Sequence, residues 1–570
     1  MLKLKKMPQS LLLSFALLLL QTPSNANQSE YIQGYFLEHK ENSKELAKAF
    51  GALIVQDPTG RMKPLDTQNR QVLSKLSGKS SWQGMSANQV MLGMFSRPDM
   101  WKQVNIIKVD TPKLRALLGV EPNQKLVKFE DFFDAEGRYK LTKEVEEANK
   151  LVPSRRGTFH RDLIKVDERL NITFMSYRGV LLTIFPLPQN AQNKWVDFKS
   201  MFALVQNSKL KRSTSKLLDA AYNRQYEACL AYVEDINAYQ KTYSAHLIPS
   251  QTKLSTELWF SQSDLFFRLC LLYLLFAFVL LVYSISSMFF NKLISKKVQF
   301  SFFVSALLLF AAHTFGIAMR WYIGGFAPIS NTYETMIYIA YSAVLAGIIF
   351  FRKSPIGLGA SFLMAGIFIF GAYLGEIDPE ITNLVPVLKS YWLSIHVSVI
   401  TASYGFFGVG AVLGMLTLVL FMFRDEKRAF MDSHIYNLTY MNEITLHLGL
   451  VLLVIGNFLG AIWANESWGR YWGWDPKETW AYISILVYAI VLHLRLLKPL
   501  NLPYLFSVVS ILAFSSILMT YFGVNFYLAG MHSYATGDPV PIPLWVYVVG
   551  GFVLLLVALS YPKKNLKENS

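Results

Sequence analysis

From about residue 262 onward, apolar runs long enough to cross a hydrocarbon core of roughly 30 Å as helices alternate with short polar connections. Eight or nine runs qualify, at 266–290, 299–319, 335–351, 355–374, 393–423, 443–463, 478–494, 503–524 and 543–561. The fourth opens on Pro355 and is interrupted by glycines. Before residue 262 the pattern is mixed and charged. ENSKELAKAFGALI and SKLLDAAYNRQYEACLAYVEDINAY space their apolar residues as amphipathic helices do. LNITFMSYRGVLLTIFPLP, rich in β-branched and aromatic residues, predicts a hairpin. The expected fold is an all-α polytopic membrane protein of eight or nine transmembrane helices, preceded by an extracytoplasmic α+β domain.

The N-terminus carries Lys3, Lys5 and Lys6, then the apolar run Leu11–Leu20 and the small-x-small tripeptide Ser24-Asn25-Ala26. That order predicts a secretory signal peptide or an uncleaved anchor over residues 1–26, with the following region outside the cytoplasm. Residues 27–262 form the expected soluble domain, 263–561 the membrane domain and 562–570 a cytoplasmic tail.

Charge placement orients the spans. The net charge is +16, which by itself is compatible with nucleic-acid binding. With nine spans and residue 262 outside, the connections and tail on the cytoplasmic side hold thirteen Lys and Arg, and those on the opposite side only Arg320, Lys389, Arg470 and Lys477. That asymmetry obeys the positive-inside rule, places the C-terminus in the cytoplasm, and accounts for the basic balance without nucleic acid. Cys229 and Cys270 make no CxxC and no Cys/His spacing, which argues against thiol-redox chemistry and zinc. His39, His160 and His246 stand alone in the soluble domain and read as packed or solvated side chains.

Between the sixth and seventh spans runs WGRYWGWDPKETW, Trp468–Trp480, with four tryptophans and a tyrosine in thirteen residues. Asp475, Pro476 and Glu478 form a helix start signal. An interfacial aromatic belt explains one or two tryptophans, but not Trp463, Trp468, Tyr471, Trp472, Trp474 and Trp480 on one short segment. Such a surface suits a flat apolar ligand. His396 opens the fifth span and His532 lies in NFYLAGMHSYATGDP, both on the same face as the aromatic stretch. Haem fits this set: a planar ring, iron that takes axial histidines, and carboxylates for Arg470, Lys477 or the helix start at Asp475.

WGRYWGWDPKETWA resembles the tryptophan-rich WWD signature of the CcsA family, the System II membrane cytochrome c synthases; RW…PISNTYET over Arg320–Thr335 and IHVSVITASYGFF around His396 add to the resemblance. It covers nearly all of residues 266–561. FGALIVQDPTGRMKPLDT is similar to the extracytoplasmic portion preceding CcsA in fused CcsBA-type synthases. The resemblance implies movement of haem b to an outer site and its thioether attachment to the CxxCH cysteines of apocytochrome c, a haem lyase activity. It implies His396 and His532 as outer iron ligands, His493 as a haem ligand inside the membrane, and the WWD loop, 463–480, as the platform. His493 is also about 20 Å deeper than Trp480 along a helix, where ionisable residues are functional suspects; His447 and His313 compete for that role.

In the segment GGFAPISN, Gly325 and Phe326 stand where many relatives carry a histidine after glycine. The ResB/CcsB spans are not part of the resemblance, which implies a separate ResB/CcsB-like membrane subunit as partner. No general base is identified. The alternatives are a haem exporter or chaperone without ligase activity, a transporter of another flat amphipathic ligand such as a quinone, and an assembly scaffold.

Overall fold

A computed structural model of the chain describes residues 25–563, apart from 152–155, 189, 291, 353, 376, 385–387, 426–427, 429, 498–501, 529–541 and 543. Two compact units emerge: residues up to Lys150 with Phe159–Leu254, and residues from Ser255 onward with Leu151–Thr158.

The first unit is mainly helical. Among the described residues its strands form four short two-stranded antiparallel ladders, Ile54–Gln56 with Met62–Pro64 being the longest. The hairpin expected over residues 170–188 is replaced by a helix, Thr158–Tyr177. Leu163, Val166, Leu170, Thr173 and Tyr177 are buried at three- and four-residue intervals along it. That single apolar face outweighs the strand preference of its β-branched and aromatic residues, because strand preference is mostly a matter of packing context. Only Phe185–Pro186 is extended, paired with Trp195–Val196.

His39 lies fully buried in this unit. Its Nδ1 is 3.0 Å from the Tyr226 hydroxyl and its Nε2 donates to the Gln89 carbonyl at 2.8 Å. Burial lowers its pKa below the ordinary 6.5.

The second unit is a multi-pass membrane bundle. Among the described residues, nine helices are long and apolar enough to span: α1 Leu265–Phe289, α2 Lys296–Gly324, α3 Thr332–Phe350, α4 Pro355–Leu374, α5 Tyr391–Phe423, α6 Met431–Trp468, α7 Pro476–Leu496, α8 Pro503–Gly523 and α9 Val546–Lys563. Pro355 opens α4 instead of breaking it. It sits in the first turn, where no N–H partner is needed, and the Ser354 side chain caps Gly357 N–H.

Helix α6 exceeds its expected bounds of 443–463 at both ends. Residues from Met431, expected in a connection, are helical because Met431, Ile435, Leu438 and Asn442 bury one face. Asp432 anchors that end through an ion pair with Arg424 at 2.5 Å. At the other end the helix continues through Trp468, so Trp463 and Trp468 are helical residues and the irregular part of the aromatic segment is only 469–475. Helices α5 and α7 meet where Phe407 stacks on Tyr488, ring centres 3.7 Å apart. Helix α8 ends in a π-helical turn, Met519–Gly523.

Candidate functional site

A cavity of about 310 Å³ lies among α3, α5, α6, α7 and the π-turn of α8, at the Trp468 end of the bundle. One wall is aromatic, with His396, Trp463, Tyr471 and Trp472. A polar part of the wall carries Asn331, Thr335, Lys477, Thr520, Tyr521 and Asn525. The result is an amphipathic chamber, suited to a ligand with flat apolar faces and a polar edge.

His396 Nδ1 is 2.7 Å from the Gly456 carbonyl oxygen on α6. A carbonyl only accepts, so Nδ1 carries the proton and Nε2 keeps the lone pair of the neutral ring. Trp463, fully buried, lies parallel to the imidazole at 6.4 Å and 11°. Trp468 meets Trp463 edge-on at 4.7 Å. The histidine is thus backed by a tryptophan pair.

The turn from α6 to α7 is folded by its own side chains. Gly469 takes a φ of +69°, the left-handed conformation that ends α6. The Glu478 carboxylate accepts from Gly473 N–H at 2.8 Å and Asp475 N–H at 3.3 Å, and Arg470 lies 3.4 Å from its other oxygen. Asp475 caps α7 by accepting from Lys477 N–H at 2.9 Å. Arg470 lies over the Trp468 ring at 5.5 Å, and a Cβ at Gly473 would overlap the Arg470 guanidinium. Trp474 follows with φ +55°, 70% exposed, its ring edge-on to Trp472 at 5.8 Å. The helix start therefore doubles as the clamp that sets the aromatic turn.

Of the residues singled out from the sequence, His396, Trp463, Tyr471, Trp472 and Lys477 line the cavity. Trp468, Arg470 and Asp475 support it from behind, and Trp474 faces outward. Lys477 donates to Asn525 Oδ1 at 2.9 Å within the polar wall. His493 is remote from it. Exposed on the last turn of α7, it holds its Nδ1 2.7 Å from the Ala489 carbonyl, near the Arg495–Glu443 ion pair at the far end of the bundle. His447 is exposed at a similar level on α6, its Nδ1 bonded to the Glu443 carbonyl. His313 is fully buried and bonded to the Tyr273 hydroxyl at 2.8 Å. His532 lies outside the described residues.

Apart from Lys477, sequence reasoning missed the polar wall. The Tyr521 hydroxyl is 2.5 Å from Thr335 Oγ1 and donates to the Thr332 carbonyl at 3.1 Å, joining the π-turn of α8 to the start of α3. Behind it, Arg320 and Glu334 form a buried ion pair at 2.7 Å. The other Glu334 oxygen holds Ser330 N–H and hydroxyl at 2.9 and 2.8 Å. The available signal was the crowding of polar residues at one end of otherwise apolar spans: SNTYET, Asn457, Thr520 and Asn525.

Among the described residues, nine spans with an aromatic, histidine-bearing chamber at one end define a polytopic membrane protein whose cavity is shaped for a ligand with flat apolar faces. Residues 329–532 match the family model described as Cytochrome C assembly protein. The chain is 53% identical to Protein NrfI of Wolinella succinogenes over its whole length, and spans 63% of that relative. It is 34% identical to cytochrome c biogenesis protein CcsA of Guillardia theta over 270 residues, 42% of this chain and 89% of that one. With CcsA of Prochlorococcus marinus the identity is 32%, over 46% of this chain and 92% of the relative. The chain belongs to the CcsA cytochrome c biogenesis family.

Proposed function

We propose that the chain serves cytochrome c biogenesis by holding haem b in this chamber for attachment to a CxxCH apocytochrome, together with a ResB/CcsB-like membrane subunit. The observation that carries this reading is His396, its tautomer fixed by Gly456 and its ring backed by Trp463, on the wall of an aromatic cavity. Among the described residues no group of three or more His, Cys, Asp or Glu side chains could hold a bare metal ion. Haem needs no such group, because its ring supplies the equatorial nitrogens and the protein only the axial ligands.

The donor set fits. His396 Nε2 is the ligating nitrogen, with His532 as the second outer ligand. Trp463 and Trp472 cover ring faces, Tyr471 and Trp474 border the entrance, and Trp468 and Arg470 hold them in place. Lys477 receives a carboxylate; the α7 start does not, because the Asp475 and Glu478 carboxylates already hold its N–H groups. His493, about a helix length from the chamber, is a second haem station within the membrane. The thirteen-to-four distribution of basic residues supports an orientation with the chamber and the N-terminal domain on the periplasmic face of the cytoplasmic membrane and the C-terminus inside.

Haem supplies its vinyl groups: each cysteine S–C bond forms as a vinyl double bond is consumed, and the thiol proton passes to the other vinyl carbon. The chain's contribution is position. It fixes the ring against indoles, excludes water and presents one edge to the incoming peptide, which is worth a large rate factor when two groups must meet in one geometry.

The test is the visible spectrum of the purified protein, co-expressed with a ResB/CcsB-like subunit, beside His396→Ala and His532→Ala. A bis-histidine spectrum that changes ligation in each variant is expected; a colourless protein or an indifferent spectrum overturns the reading. Haem-dependent ligation to a CxxCH peptide then separates a lyase from an exporter.

A further inference from the structure

Two glycines one turn apart on α6, Gly456 and Gly460, face His396 and Ile400 on α5. A Cβ at Gly456 would stand 3.1 Å from the Ile400 backbone nitrogen. A Cβ at Gly460 would stand 2.8 Å from His396 Nδ1 and nearer still to Cε1. Glycine inside a helix costs about 1 kcal/mol relative to alanine, so this pair needs an explanation beyond helix formation.

The Gly456 carbonyl is bonded within α6, and a second lone pair remains on its oxygen. Side chains at the same position and one turn on normally shield such a carbonyl. Here both positions lack a Cβ, and His396 Nδ1 reaches the oxygen at 2.7 Å. Trp463, three residues beyond Gly460 and so on the same helix face, closes the slot with a parallel ring.

We propose that Gly456 and Gly460 are positioning residues for His396. The bare carbonyl of Gly456 sets the tautomer, and the missing Cβ of Gly460 gives the imidazole its place against Trp463, so that Nε2 is delivered as the ligating nitrogen. The ligation step rests on the haem reading; tautomer and ring placement do not.

The test uses the full chain in lipid nanodiscs with 15N-histidine, the His396 signal assigned by its loss in His396→Gln. Wild type should show a single tautomer protonated on Nδ1. Gly460→Ala should give mixed tautomers and weaken haem binding by about 10- to 100-fold, the usual effect of losing a ligand's supporting partner. Gly449→Ala is the packing control. Its Cβ would stand 2.8 Å from the Phe407 ring, away from His396, and it should leave tautomer and haem affinity unchanged. The proposal is overturned by a wild-type proton on Nε2, by Gly460→Ala retaining wild-type tautomer and affinity, or by Gly449→Ala matching Gly460→Ala. If Gly460→Ala fails to accumulate, the wild-type tautomer still decides. A tautomer that is fixed in wild type and lost in Gly460→Ala, with haem bound by neither, sustains the positioning role and defeats the haem reading.

Discussion

The imidazole of His396 and the indole of Trp463 lie parallel, 6.4 Å apart at 11°, although one is on α5 and the other on α6. Because Trp463 is fully buried, it has two separable effects: it fills space between helices and it orients the ring. Trp463→Ala should cost about 3–5 kcal/mol as a cavity mutation and lose haem together with fold. Trp463→Phe keeps a flat face and should retain the fold while perturbing the ligation spectrum. Thermal unfolding and visible spectra of both variants check this; a Trp463→Phe spectrum identical to wild type removes the orienting role.

Glu478 couples the helix start to the aromatic turn. Glu478→Ala leaves the Gly473 and Asp475 N–H groups without their carboxylate, a loss of about 1–3 kcal/mol for the buried Asp475 donor. The local effect should be larger than the global one, with Trp472 and Trp474 becoming more quenchable and Arg470 open to trypsin. Asp475→Ala, which removes the cap on Lys477 N–H, should cost about 1 kcal/mol through that bond. Equal protease sensitivity in the two variants would show that Glu478 acts as a cap alone.

His39 gives the N-terminal unit a pH dependence with a defined sign. Its folded pKa lies below 6.5, so between those two values the unfolded chain binds the proton and the folded unit does not. Stability is therefore complete above pH 6.5 and falls with acidification, by up to about 1.4 kcal/mol per pH unit, until the lowered folded pKa is passed. Hydrogen exchange at the Ala87–Ser96 helix, which includes Gln89, should report this slope, and His39→Gln should flatten it. An unchanged slope in the variant assigns the dependence to another group.

The membrane architecture was legible because length and hydropathy dominate where water is absent. The connection before α6 was not, since Ser433, Asn437 and Asn442 dilute the apolar signal although one face is continuously buried. The expected hairpin failed for the converse reason, when Ile172, Thr173 and Phe174 advertised a strand and tertiary packing chose a helix. Composition and spacing revealed half of the site, the histidine and the tryptophans. They could not reveal the Gly456 carbonyl that fixes His396, because a backbone acceptor has no sequence signature, nor the Thr335–Tyr521 contact across 186 residues.

The buried Arg320–Glu334 pair gives the sharpest stability test of the polar wall. Both side chains are almost wholly buried, so removing one partner strands a charge in a low-dielectric bundle, which costs about 3–5 kcal/mol. Arg320→Met should show that loss and, through Glu334, release Ser330 and the chain leading to Asn331 and Thr335 on the chamber wall. Glu334→Gln keeps the shape and the hydrogen-bonding oxygen for Ser330 while stranding Arg320, so it should destabilise comparably but preserve the wall. Combining Arg320→Met with Glu334→Gln removes both charges and should recover most of the loss, because the remaining amide can still serve Ser330. A double-mutant cycle on thermal unfolding measures the coupling. If the double variant is as unstable as the sum of the singles, the pair contributes nothing as a pair and each side chain acts through separate contacts, Arg320 through its 3.0 Å bond to the Pro379 carbonyl.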